Sequence, residues 1–90
     1  MDTITRYILS DEEVRRYIPY PLLAESENHL NTGRAHRAMA ILHISPEMLK
    51  SFQKKAYEWH ISKGFPQGYE FTREELEGWN RMTLLLQMIL

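Results

Sequence analysis

Between residues 33 and 43 apolar side chains recur at helical spacing, with Ala35, Ala38, Met39 and Leu42 at i, i+3, i+4 and i+7. A second stripe of the same period runs through Met48, Leu49, Phe52, Ala56 and Trp59, with Lys50, Lys54, Lys55 and Glu58 turned outward. Boundary signals frame both stripes. Ser45-Pro46-Glu47 sets a capping hydroxyl ahead of a proline at the first helical position, where its missing N–H costs nothing. Gly64 is the expected stop. Ser10-Asp-Glu-Glu13 and Thr72-Arg-Glu-Glu75 have capping-box spacing, and Pro19 ends the helix that the first one opens.

These signals predict helices over about 10–18, 21–30, 33–43, 46–63 and 73–90, with a break at Asn31-Thr32-Gly33. Residues 3–9, TITRYIL, are β-branched and aromatic but have no obvious partner strand, so residues 1–9 are expected to form an extended arm, mobile or exchanged with a neighbouring copy. Phe65, Tyr69 and Phe71 are expected to clamp the loop 64–71 onto the helices, and the corner Tyr17-Ile-Pro-Tyr-Pro21 reads as a rigid turn. The fold class is all-α: one domain over 1–90, a compact bundle of four to five short helices with a short extended N-terminal arm.

Composition narrows the ways such a fold can be held together. Ninety residues allow a single core and bury only about 60–65% of the unfolded surface. With no cysteine, neither a disulfide nor a thiolate zinc site can supplement that core. No basic region followed by an apolar one opens the sequence, and no apolar run approaches the roughly 20 residues that span a bilayer. A cytoplasmic protein away from the membrane is expected.

Charge adds an asymmetry that the net value of −1 conceals. Residues 33–63 carry Arg34, Arg37, Lys50, Lys54, Lys55 and Lys63 against Glu47 and Glu58, while the segments on either side are acidic. A basic middle between acidic ends suggests a partner there.

Within that middle, LHISPEMLKSFQKK matches the roles of a helix-turn-helix. An apolar helix end (Leu42) is followed by a turn (His43), an apolar anchor (Ile44), a capping hydroxyl (Ser45) and a basic helix anchored by Leu49 and Phe52. His43 stands where glycine is usual, because the chain there often needs positive φ. Arg34, Arg37, Lys50, Gln53, Lys54 and Lys55 would form the face for nucleic acid or an acidic partner. An ordinary corner between two helices with a solvated basic face reads the same way.

The C-terminal helix supplies a second candidate. Seven of the nine residues in MTLLLQMIL are apolar and surround the helix, more than one buried face requires. Trp79, Leu85, Leu86, Met88, Ile89 and Leu90 are therefore the expected interface of a homo-oligomer, a dimer first, although a helix threaded through the core would look similar.

Catalytic and metal signals are sparse. No nucleophile elbow, phosphate loop or His-Glu-x-x-His occurs. His29, His36 and His43 repeat every seven residues, but neighbours would stand about 10 Å apart on a helix. That exceeds what one metal can bridge at ligand distances of about 2.0–2.1 Å. Glu25 and His29 have the spacing of a surface pair. The sequence therefore points to a small non-enzymatic interaction module (an adaptor, inhibitor or regulator) with no cofactor and no metal. It would self-associate through its last helix and take an unidentified protein partner. The alternative is a helix-turn-helix regulator that uses 33–43 and 46–63 on nucleic acid.

Overall fold

The computed structural model describes residues 5–90. Its elements follow in the order β1 (Arg6–Ile8), α1 (Asp11–Tyr17), α2 (Tyr20–Glu25), α3 (Glu27–Leu30), α4 (Gly33–Ile41), α5 (Pro46–Ile61), β2 (Glu70–Thr72) and α6 (Arg73–Ile89). The domain is mostly helical, as the apolar periodicity requires, with one more helix than expected and a small sheet that the sequence pattern did not show.

Side-chain caps open α1, α4, α5 and α6, whereas α2 and α3 have none. The Glu13 N–H donates to Ser10 Oγ (3.2 Å) while the Ser10 N–H donates to Glu13 Oε1 (3.1 Å), completing a capping box at α1. The Ser10 N–H and then the Ser10 hydroxyl, both donating to Glu13 Oε1, hold the Glu13 carboxyl below its usual range. Thr32 and Ser45 accept from the N–H groups of Ala35 and Met48 at the starts of α4 and α5. At α6 only half of the expected box forms. Thr72 Oγ1 accepts from the Glu75 N–H (3.1 Å), but the Glu75 carboxylate turns away to Lys55 and Tyr69.

The expected helix over 21–30 is two. Ser26, buried between α2 and α3, donates its hydroxyl to Leu23 O (3.1 Å), and such local side-chain bonds compete with a continuing helix. The break at 31–32 is present.

The ends of α4 and α5 share one device. His43 (φ 55°) donates its N–H to Ala40 O and the Ile44 N–H reaches Met39 O. Lys63 (φ 61°) donates to His60 O and the Gly64 N–H reaches Trp59 O. Both are Schellman closures in which a non-glycine residue takes the left-handed position. At α5 that residue is Lys63, so the helix stops before the glycine expected to end it.

The arm is extended as expected where the structure describes it, residues 1–4 lying outside the described residues, but it finds its partner within the chain. Arg6–Ile8 pairs antiparallel with Glu70–Thr72 of the same chain, in the register Arg6↔Thr72, Tyr7↔Phe71 and Ile8↔Glu70. The partner strand was hidden because Phe71 and Thr72 sit directly against a helix cap. Pairing within the chain satisfies β1 without a neighbouring copy.

The core is built around α6. Trp79, Met82 and Leu85 are fully buried there, with α1, α2, α4 and α5 packed about them. The Phe52 ring meets Trp79 edge to face at 4.7 Å. Gly78 allows that approach, since a Cβ there would stand 2.7 Å from Phe52 Cε2. Phe65 packs edge to face on Tyr20 at 4.9 Å and Tyr69 on Phe71 at 4.8 Å, so the aromatic loop lies down on the helices as its composition implied.

Candidate interaction surface

The central position of α6 corrects the expected interface. Trp79, Leu85, Leu86 and Ile89 lie inside the domain's own core, where no partner can reach them. An apolar run around a whole circumference is explained by helices and a strand that cover it on several sides. Met88 (39% exposed) and Leu90 (59%) remain outside, together with Leu84 (40%).

The basic face is also redistributed. Arg34 and Arg37 are exposed on α4, and Lys50 and Lys54 on α5, while Gln53 is half-buried. Lys55 leaves the face: its Nζ lies 2.9 Å from Glu75 Oε1, which also accepts the Tyr69 hydroxyl at 2.6 Å. Burial, then the bond to Glu75 and its charge, pushes the Tyr69 phenol well above its ordinary range.

Two depressions flank α4. One lies between α4 and α5, a groove of about 400 Å³ with Leu30, Met39, Ile44 and Leu49 at its apolar base and Lys50 and Gln53 at its edge. The other lies along the seam with α6, lined by Arg34, Arg37, Ala38, Ile41 and Met88. At one end of this seam Arg81 Nη1 approaches His43 O at 3.4 Å, and at the other Met88 lies beside Arg34 and Arg37, so the two helices run antiparallel. Ile41 is 66% exposed beside them.

Among the described residues, the arginines around this seam meet no carboxylate. Residues 28–46 and 78–90 contain no aspartate or glutamate. Among the described residues, the ion pairs join Arg6 to Glu70, Arg16 to Glu12, Lys55 to Glu75, His60 to Glu25 and Arg73 to Glu77. Arg34, Arg37 and Arg81 belong to none of them. The two acid-free stretches were visible in the sequence, but their adjacency depends on α4 packing against α6.

The histidine series does not converge. His29 sits on α3, His36 on α4 and His43 in the turn after it, and no metal-binding cluster occurs among the described residues. Glu25 faces His60 Nε2 across α2 and α5 (3.4 Å) instead of pairing with His29. No described helix is long and apolar enough to cross a membrane.

No family model, curated protein or solved structure matches this chain.

Proposed function

We propose that this chain is a small non-enzymatic interaction module that acts by presenting α4, with the adjoining edge of α6, to another protein. One observation carries this reading: Ile41 and Met88 stay exposed in a domain that buries the other large apolar residue of α4, Met39, and most of those of α6, and Arg34 and Arg37 beside them have no carboxylate partner among the described residues. Arginine around an exposed apolar centre is the composition of a protein-binding patch rather than of an inert surface. An adaptor, an inhibitor and a regulator all work by occupying such a surface.

Self-association through α6 has lost most of its basis, since only Met88 and Leu90 of its expected residues are outside. A two-fold contact through this seam would also oppose Arg34, Arg37 and Arg81 to their own copies, with no carboxylate to meet them. The partner is therefore a different protein. Panning a displayed random-peptide library against the protein and against an Arg34→Glu/Arg37→Glu variant tests the reading. Enriched peptides should bind the first and lose the second while both proteins melt alike. Peptides that bind both equally would place the interaction elsewhere.

The turn geometry favours a second reading. Left-handed His43 closes α4, and Ser45-Pro46 opens α5 two residues later, with Lys50 and Lys54 exposed on the helix that would enter a major groove. Glu47 and Glu58 share its exposed surface and Lys55 is neutralised, which weakens its attraction to phosphate. Anisotropy of labelled duplex DNA at about 50 and 200 mM salt decides it. Steep salt-sensitive binding would carry this reading, and no binding at the lower salt would remove it.

A further inference from the structure

We infer that the partner element seated on the α4–α6 seam is an acidic amphipathic helix of another protein, an inference that rests on the interaction reading above. Charge complementarity is the first argument. In a chain of net charge −1, the two stretches that form this seam carry Arg34, Arg37 and Arg81 and no acidic residue. Among the described residues, Arg81 is held only by a backbone carbonyl, at the negative end of α4. Guanidinium groups pair best with carboxylates, whose two oxygens match the planar fork.

Shape supplies the second argument. The seam is a trough between two antiparallel helices, with the small Ala38 at its base and Ile41 and Met88 along its walls. From Arg34 to Ile41 it extends about 10 Å along α4, two helical turns. A docked helix reaches that far with apolar side chains at i, i+4 and i+7. Neither strand contributes to this face, so it offers no open sheet edge to an extended peptide. Methionine in the wall adapts to side chains of different shape.

The same features disfavour other occupants. Phosphates would satisfy the arginines but leave Ile41 and Met88 against a polar backbone, with nothing apolar to cover them. A second copy of the chain meets like charge, as argued above.

The test uses two synthetic helical peptides of about fifteen residues, each with leucine at i, i+4 and i+7 and either glutamate or lysine at the flanking positions. Binding to the intact protein is read by fluorescence polarisation and mapped by amide chemical shifts. The glutamate peptide should bind about tenfold tighter than the lysine peptide, from two or three arginine–carboxylate pairs. The perturbed amides should cluster at 34–41 and 81–88. Arg34→Glu/Arg37→Glu should reverse the order of the two peptides without moving the melting temperature.

Equal binding of both peptides at those residues would overturn the acidic partner and leave the interaction surface standing. Neither peptide perturbing those residues, while library peptides bind the parent and the double variant equally, would overturn both. A free protein that sediments as a dimer, and becomes monomeric when Met88 is replaced by aspartate, would make a second copy the occupant and overturn the inference.

Discussion

Lys55 Nζ and Glu75 Oε1 stand 2.9 Å apart, tying the middle of α5 to the first turn of α6. The carboxylate is almost buried and the ammonium is partly exposed. Its oxygen also accepts from Tyr69, and the carboxylate lies near the positive N-terminus of α6. A helix 20 residues back and the loop just before α6 thus converge on one charge.

Removing the cation should leave that carboxylate short of a partner. Lys55→Met is expected to cost about 1–3 kcal/mol, the usual penalty for an under-satisfied buried polar group. Adding Glu75→Gln to it should cost less than the sum of the two single changes, because the pair acts together. A double-mutant cycle from urea unfolding measures this, and additivity would show the contact to be idle.

Tyr69 should write itself into the alkaline limb of stability. Its phenol is raised above the ordinary value of about 10, so the unfolded chain releases this proton first. The stabilisation is complete below about pH 9 and is lost as pH rises beyond 10 toward the folded value. Tyr69→Phe should flatten that decline while leaving the neutral-pH profile unchanged in shape. An unaltered alkaline slope in the variant would count against the assignment.

Gly78 should tolerate no side chain. Gly78→Ala gains about 1 kcal/mol of helix propensity but drives a methyl into the Phe52 ring. Overpacking costs about 1–3 kcal/mol, and the ring is held against Trp79. A net loss of stability is expected by thermal melting, with Phe52→Leu partly restoring it. A more stable Gly78→Ala protein would mean that the ring moves freely.

Leu86 and Leu90 should separate core from surface on α6. Leu86→Asp buries a charge in the core and is expected to abolish cooperative unfolding, whereas Leu90→Asp should stay within about 0.5 kcal/mol of the parent. Circular dichroism melts distinguish them. A folded Leu86→Asp protein that merely changed its oligomeric state would return this helix to an assembly role.

Much of the framework was legible because its signals are local. Ser10, Ser45 and Thr72 accept at helix starts, and a capping hydroxyl acts within three residues of itself. Ala35, Ala38 and Met39 are buried, as the spacing on one helix face implies. Arg34, Arg37, Lys50 and Lys54 are exposed, since isolated charge rarely leaves water.

What the sequence by itself determined, then, is where helices begin, which face of each turns inward and which stretches lack acid. Tertiary structure alone decided the rest, because the deciding contacts join residues far apart in the chain. It matched β1 with a strand some 60 residues away, with no hairpin turn joining the two. It enclosed α6, so that Trp79, Leu85, Leu86 and Ile89 became core, and it drew Lys55 to Glu75. It also set two acid-free stretches side by side, which joins Arg34 and Arg37 to Ile41 and Met88 as one surface. Periodicity says how a helix is oriented, but only packing says what covers it.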